Sequence, residues 1–480
     1  MHNYIGQEVG LELMRIYQTM LVAEEKYHTL LETIHPEQLQ SAKNLLDYLV
    51  LRNMDIRALQ DALHEGGLSS LASSEGNIRS QIKAILRRLE LSVPEDEQEC
   101  TYRVSRQLLQ KHATALFGPK RIEGIPALMV TLDVSHADDY AEVKNLLLSG
   151  MNIARINCAH DDESTWMKMI QNLRRAIKVS SYPCKVYMDL AGPKIRTIVP
   201  HKGKVKIKTG EVITLIDRPL EKDEKKVIGC TYPGIISQLK PGEKVLFDDG
   251  LVEGLVDAVQ KDTAQLLVTR ISSAKPIIKK NKGMNFPDSD LKFSALTDYD
   301  RQCLPFIIKH ADLIGYSFVR SRADLSTLQN AIKNAPQLSI IIKIETPEAV
   351  KSLPDLLFQG MTQSSVGVMI ARGDLAVEIG FERMSEIQDQ ILWFCEAGHV
   401  PVIYATQILE SLNKAGLATR SEVIDAAHAA MAEGVMINKG AYTIEVIETL
   451  RDILLRSGGH HVKKRYTFRP LNIASRFLGE

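Results

Sequence analysis

The chain has 480 residues, of which 45% are hydrophobic and 25% charged, and 59 Lys and Arg balance 59 Asp and Glu to a formal net charge of zero. That length exceeds one ordinary core and implies about two or three domains, while the charge balance excludes an overall pull toward nucleic acid or an anionic membrane. No apolar run approaches the ~20 residues of a membrane helix, and the six cysteines are scattered without a CxxC pair, which points to a reducing compartment, the cytoplasm, and away from a zinc site.

Residues 1–118 read as helical. Leu11–Tyr17, Leu45–Leu51 and Ile82–Leu89 place apolar residues at i, i+3 and i+4. Glu12 and Arg15 interrupt the apolar residues near the start, unlike a signal peptide. Pro94 and the acidic run Glu95–Glu97 mark a break. No residue pattern here points to chemistry, and the segment reads as a packing or oligomerisation module.

From Ala127 the pattern changes to short apolar strands alternating with helices: Leu128–Asp133, Asn152–Asn157, Lys185–Asp189, Leu313–Ser317, Leu338–Lys343, Val366–Ala371, Val400–Thr406 and Gly434–Asn438. Eight strand–helix units are the count of a TIM (β/α)8 barrel, with a doubly wound open sheet as the alternative. Arg155, Asn157, Asp189, Ser317, Lys343, Glu345, Asp374 and Thr406 stand at or just past the C-terminal ends of these strands. That is the barrel face where catalytic residues sit, and an open sheet would not gather all of them around one centre.

Residues 199–284 interrupt the series after the third strand. His201–Lys208 alternates charged and apolar groups with period two, as a half-buried strand does. Thr209–Gly210, Pro233–Gly234, Lys240–Gly242 and Asp249–Gly250 are turn signals between short strands. A small all-β domain inserted on the catalytic face can serve as a lid that excludes water. The expected division is therefore a helical extension at 1–118, a barrel at 119–198 and 285–456, the lid at 199–284, and a tail at 457–480 whose Lys463, Lys464 and Arg465 read as solvated or interfacial.

Ile340–Glu345 and Val366–Asp374 carry the most chemistry. Strands joined by a helix run parallel, so their C-terminal ends point the same way and Glu345 and Asp374 can converge. Two hard oxygens at one rim suit Mg²⁺, which keeps waters and takes substrate oxygens as further ligands. Lys343 lies two residues before Glu345, on the same strand face. A cation beside a metal suits phosphoryl transfer, where charge spreads over the moving group. The competing reading is two surface carboxylates and a solvated lysine.

In register from about residue 126 to residue 452, the chain resembles the pyruvate kinase family. Met151–His160 is similar to that family's MNVARxNFSH, and Met188–Thr197 to its LDTKGPEIRT. Asp248–Leu251 matches DDGL, Gly283–Pro287 resembles GVNLP, and Tyr316–Arg320 resembles ASFIR. Lys343–Glu345, Ala371–Leu375 and Ala405–Ser411 match KIE, ARGDL and ATQMLES. The helical N-terminal segment, with INCAHDD and DLAGPK, is similar to a bacterial subgroup of the family.

The resemblance implies a Mg²⁺ (or Mn²⁺) ion on Glu345 and Asp374, bound together with oxygens of pyruvate or phosphoenolpyruvate. It implies Lys343 stabilising the phosphoryl group in flight and the enolate left behind, and Thr406 helping to deliver a proton to the enolate carbon through water. Backbone N–H groups of Gly373 and Asp374 would cradle the substrate carboxylate. Arg155 would bind the transferring phosphate, Ser317 would join the substrate site, and Asn157, His160 and Arg196 would meet the phosphates of ADP or ATP. A homo-oligomer, with a dimer favoured, is also implied.

Several departures carry expectations of their own. In the monovalent-cation site implied by the resemblance, Asn157, Asp189 and the Leu190 carbonyl remain, but Ala159 offers no side-chain oxygen. Lys194 stands where K⁺-dependent members carry Glu, and a tethered ammonium can replace the ion's charge, so no K⁺ requirement is expected. Thr131–Ser135 replaces TIGP on the first strand. Met436–Gly440 lacks most of LSGETAKG, and the shorter loop removes a hydroxyl and a Glu near the site. The chain ends soon after the barrel, so the resemblance implies no C-terminal regulatory domain and no sugar-phosphate effector site. Three functions follow: a pyruvate kinase, another metal-dependent enolpyruvate enzyme (a lyase or decarboxylase), or a non-catalytic phosphoenolpyruvate- or pyruvate-binding protein. The lid favours the first over the second, because an aldol-type lyase has no nucleotide to cover.

Overall fold

The structure, a computed structural model, describes residues 2–94, 99–200, 203–221, 224–272, 276–458, 461–462 and 465–466. The break expected at Glu95–Glu97, the His201 and Lys202 end of the lysine-rich strand, and Lys463 and Lys464 lie outside the described residues.

The barrel begins with β1 (Ala127–Thr131), β2 (Met151–Asn157) and β3 (Lys185–Asp189). The chain then leaves for the inserted strands β4 (Thr197–Ile198), β5 (Lys204–Lys206), β6 (Val212–Ile216), β7 (Val227–Cys230), β8 (Lys244–Phe247), β9 (Val252–Gln260), β10 (Thr263–Ile271), β11 (Ile277–Lys279) and β12 (Met284–Asn285). It returns through β13 (Leu313–Tyr316), β14 (Ser339–Ile344), β15 (Val366–Ala371), β16 (Val402–Ala405) and β17 (Gly434–Ile437).

The eight barrel strands close in the order β1-β17-β16-β15-β14-β13-β3-β2, every neighbour pair parallel, so the TIM barrel holds and the open sheet does not. Their near-continuous apolar character fits strands covered on both faces. Each expected strand is present, with ends that move by a residue or two. The seventh is the shortest relative to expectation. Thr406 leaves it because its backbone turns left-handed, at φ 66°, and Pro401 cannot donate to a ladder.

The inserted sheet runs β12-β8-β9-β10-β6-β7-β4, with a separate β5–β11 ribbon. It owns an apolar core that includes Ile213, Leu215, Val245, Phe247 and Leu266. The strand expected over His201–Lys208 contracts to Lys204–Lys206, with Val205 inward and both lysines outward.

Before the barrel, helices His2–Lys26, Leu39–Arg52 and Ile78–Arg88 share one apolar core through Leu13, Ile16, Met20, Leu45, Ile82 and Leu86, which is continuous with the barrel's outer layer, and the helix Tyr102–Phe117 follows them. Thr101 starts the last helix by accepting the Val104 N–H, and Gly118 at φ 81° ends it. Its end turns inward. Ala113, Leu116 and Phe117 pack with Met129, Ile153, Ile341, Met369 and Met436 inside the barrel. Gly434 and Gly367, at the starts of β17 and β15, leave room for Phe117 and Leu116. The helix therefore plugs the N-terminal end of the barrel, which accounts for the packing role expected of this segment. Beneath it, His399 receives Ser41 and Ser105 contacts at 3.0 and 3.1 Å, and Asn44 donates to the Ala397 carbonyl at 2.8 Å.

Candidate active site

At the opposite, C-terminal end of the barrel, charged groups converge in a buried cluster. Lys343, on β14, is 8% exposed. Its ammonium lies 2.7 Å from Ser317 Oγ, 3.0 Å from Glu345 Oε1 and 3.2 Å from Asp189 Oδ1. Burial works to lower its pKa, but Asp189 and Glu345 outweigh that and the net shift is upward, which keeps the ammonium charged. Asp189 is 1% exposed; burial raises its carboxyl, but Lys343 and Arg155 win and hold it below the usual range. It accepts from Arg155 Nε at 3.0 Å and Nη2 at 2.6 Å, and from the Tyr187 hydroxyl at 3.0 Å. Arg155 also donates to Thr131 Oγ1 at 3.1 Å.

Glu345 follows β14. Its second oxygen accepts the Phe318 N–H at 2.6 Å, and the Phe318 backbone is left-handed at φ 55°. Burial, and next the repulsion of Asp374, push the Glu345 carboxyl upward against the pull of Lys343. Asp374 opens the helix Arg372–Ile379, and its Oδ1 is 2.5 Å from Lys194 Nζ. The arrangement fits a divalent cation: two carboxylates repel each other across one rim, and each is paired with a lysine. Among the described residues no group of three or more His, Cys, Asp or Glu is arranged to hold a metal ion, so such an ion would draw its remaining ligands from substrate and water, as Mg²⁺ does.

Thr406 abuts the start of the helix that carries Asp374. Its hydroxyl accepts the Gly373 N–H at 2.7 Å, so that N–H, expected to cradle a carboxylate, is spent on Thr406 here. A β-branched residue at positive φ is strained, and Gln407 and Leu409 share the strain at φ 58° and 47°. Arg372 holds this loop. Its buried guanidinium donates to the Ala405 and Thr406 carbonyls, bonds both Asp425 oxygens at 2.5 and 2.7 Å, and lies 4.1 Å over the Tyr404 ring.

The expected nucleotide groups lie further out. Asn157 Oδ1 accepts the Ala159 N–H at 3.1 Å, and Arg196 Nη1 donates to the Asn281 carbonyl at 3.2 Å near the lid hinge. Partial burial lowers the His160 pKa, with Lys439, Arg196 and Arg155 adding to the effect against Asp161. Lys439, from the loop after β17, thus adds to the positive field that Arg196 and Arg155 place at His160. Of the monovalent-cation oxygens, Asp189 is taken by Arg155 and Lys343, and the Leu190 carbonyl accepts from Ser317 Oγ at 2.7 Å. Lys194 reaches Asp374.

The family model "Pyruvate kinase, barrel domain" matches residues 116–447. The chain belongs to the pyruvate kinase family. It is 33% identical over 322 residues to the pyruvate kinase of Geobacillus stearothermophilus, covering 65% of this chain and 53% of that protein. It is 31% identical over 331 residues to that of Bacillus licheniformis (67% and 55%), and 30% identical over 332 residues to that of Encephalitozoon cuniculi (68% and 74%). The chain spans about half the length of the two bacterial relatives, and the pyruvate kinase match begins only at the barrel plug, leaving the preceding helices outside it.

Sequence reasoning passed over Tyr187, Arg372, Tyr404 and Asp425. Arg372 was visible within ARGDL, and Asp425 lies one barrel strand later, but nothing in the spacing alone pairs them. None of the described helices is long and apolar enough to cross a membrane, and none of the six cysteines forms a disulfide.

Proposed function

We propose that this chain is a phosphotransferase of the pyruvate kinase type, moving the phosphoryl group of phosphoenolpyruvate to ADP to give pyruvate and ATP, as a glycolytic enzyme does. The observation that carries the proposal is the position of Lys343. A charged ammonium is held by Ser317, Asp189 and Glu345 within a buried cluster that also contains Arg155.

In this reading Glu345 and Asp374 hold Mg²⁺ or Mn²⁺, which supplies charge neutralisation for phosphate and enolate oxygens. Lys343 lies where negative charge develops on the transferring group and then on the enolate, and its anchored position means little reorganisation is needed as that charge appears. Arg155, fixed by Asp189, presents its remaining N–H groups to phosphate. Ser317 orients Lys343 and lines the substrate site. Thr406 positions the water that protonates the enolate carbon. The Asp374 backbone N–H at a helix start remains for the substrate carboxylate; Gly373 reaches it once Thr406 rotates. Asn157, His160 and Arg196 meet the nucleotide phosphates.

The proposal treats residues 199–284 as a lid on the barrel of 119–198 and 285–456, preceded by a helical unit at 1–118 and followed by a tail at 457–480. It includes independence from K⁺, supported by the cation-site oxygens already spent on Arg155, Lys343 and Ser317. It also includes a homodimer, supported by exposed Phe381, Leu417 and Ile424 on the segments that follow β15 and β16, and a place in the cytoplasm, supported by cysteines that form no disulfide.

The test is pyruvate formation from phosphoenolpyruvate and ADP with Mg²⁺, with and without K⁺, beside Lys343→Ala. Turnover that needs Lys343 but not K⁺ supports the reading. Mg²⁺-dependent binding of phosphoenolpyruvate without any turnover overturns it.

A further inference from the structure

The lid meets the barrel through two chain segments, Pro193–Thr197 going out and Lys282–Phe286 coming back. Backbone bonds tie them into one ribbon: Thr197 N–H to the Lys282 carbonyl at 2.8 Å, Asn281 N–H to the Thr197 carbonyl at 2.8 Å, and Met284 N–H to the Ile195 carbonyl at 2.9 Å. The Thr197 hydroxyl adds a bond to the Lys279 carbonyl at 2.7 Å. Any lid movement must carry this ribbon as a unit.

The ribbon reaches one barrel helix at two points. Lys194 on the outgoing strand bonds Asp374, and Asn285 Nδ2 on the returning strand donates to Glu378 Oε1 at 2.7 Å. Asp374 and Glu378 are i and i+4 on the helix Arg372–Ile379, hence neighbours on one face. Asn285 is 8% exposed, and the Phe286 backbone beside it also pulls the Glu378 pKa down. Burial pushes the Glu378 carboxyl up to about 7, and Glu348 and Asp374 push the same way, so the group is held at this spot against its own desolvation.

We infer that Asn285 and Glu378 are a positioning pair that seats the lid on the helix carrying Asp374. The pair sets the lid's rest position relative to the carboxylate nearest the reaction, and its consequence for turnover rests on the phosphotransferase reading. Lys194 must give up Asp374 when a cation binds there. The Asn285–Glu378 bond need not break at that moment, so it serves as the pivot while the other contact exchanges.

The test uses the full chain with Asn285→Ala, Glu378→Ala, the double variant, and Glu378→Gln, which keeps the acceptor oxygen. Hydrogen exchange is followed in segments 193–198 and 280–287. Loss of one buried hydrogen bond, at about 1 kcal/mol net, corresponds to roughly fivefold faster exchange. Each alanine variant is expected to show that increase in both segments, the double variant no more than either single, and the glutamine variant close to the parent. The KM for ADP is expected to rise by a similar factor with kcat less affected. Unchanged hinge exchange, additive effects in the double variant, or a glutamine variant as loose as alanine overturns the pair. If the chain turns over no phosphoenolpyruvate, exchange still decides the inference, so the two readings fail separately.

Discussion

Lys194 Nζ and Asp374 Oδ1 meet at 2.5 Å, linking the segment that leads into the lid with the helix that opens on the expected metal carboxylate. The contact makes the ammonium a competitor for whatever cation Asp374 holds. It also supplies positive charge at a rim where Glu345 and Asp374 otherwise repel each other. Lys194→Ala is expected to lower the Mg²⁺ concentration at half-saturation severalfold, to lower kcat, and to make turnover respond to added K⁺. Titrating Mg²⁺ in sodium and potassium buffers checks this. A higher Mg²⁺ requirement in the variant contradicts the competition.

Thr406 combines strain with chemistry. Its left-handed backbone costs on the order of 1–3 kcal/mol, and its hydroxyl accepts the Gly373 N–H. Thr406→Gly relieves the strain and removes the hydroxyl, so stability is expected to hold or rise while turnover falls by about 10² or more. Thr406→Ser keeps the hydroxyl and is expected to stay within a few-fold of the parent. Thermal melting set beside solvent-deuterium incorporation at the methyl carbon of pyruvate separates the two effects. A glycine variant that loses stability and activity in parallel would show that Thr406 matters only to the fold.

Arg372 is the buried counterpart of that loop. Its guanidinium spans β16 and the helix Arg420–His428 through Asp425. Removing one member of a buried pair strands the other, at about 3–5 kcal/mol in full burial. Asp425 is 30% exposed, so Asp425→Ala is expected at the lower end or below. Arg372→Lys is expected to be worse than its charge suggests, because one ammonium cannot replace the fork that reaches two carbonyls and a carboxylate. Melting of the two variants, with kcat as the report on Thr406, checks the order.

The barrel was legible because its strands are continuous apolar runs closed by polar residues at one end, and a closed sheet gathers those ends. Lys343, Glu345, Asp374 and Thr406 could be named from that alone. What was not legible came from pairs far apart in sequence. Nothing in the spacing says that Arg372 takes Asp425, or that Asn285 takes Glu378, because hydrogen bonds between loops and helices leave no periodicity. Lys194 was singled out for its charge, but the structure turns that charge toward Asp374. The N-terminal plug was hidden for another reason: Leu116 and Phe117 read as an ordinary helix end, and only the small Gly367 and Gly434 beside them open the barrel floor.

That floor makes a prediction about packing. Phe117 is 3% exposed and fills the barrel interior. Phe117→Ala is expected to cost about 3–5 kcal/mol by the transfer and cavity terms. Phe117→Leu keeps most of the volume and is expected to cost less than about 1.5 kcal/mol. Denaturant unfolding measures both. Equal, small losses would mean that the Tyr102–Phe117 helix is not needed to close the barrel.

Glu378 gives the pH dependence. Its carboxyl moves from 4.5 to about 7, chiefly through burial. Between those values the folded chain holds a proton that the unfolded chain has released, so the folded state is favoured most below about 4.5 and loses that advantage as pH rises to about 7. Above that point the chain carries a buried charge whose cost is on the order of 3 kcal/mol. Glu378→Gln cannot titrate and keeps an acceptor for Asn285. The stability of the variant relative to the parent is therefore expected to climb from pH 5 to pH 8, with the largest gain on the alkaline side. Paired melting curves across that range, at fixed ionic strength, read the difference directly. A difference that stays constant with pH would mean that the carboxylate is as well solvated as in the unfolded chain, and the buried setting assigned to Glu378 would be wrong.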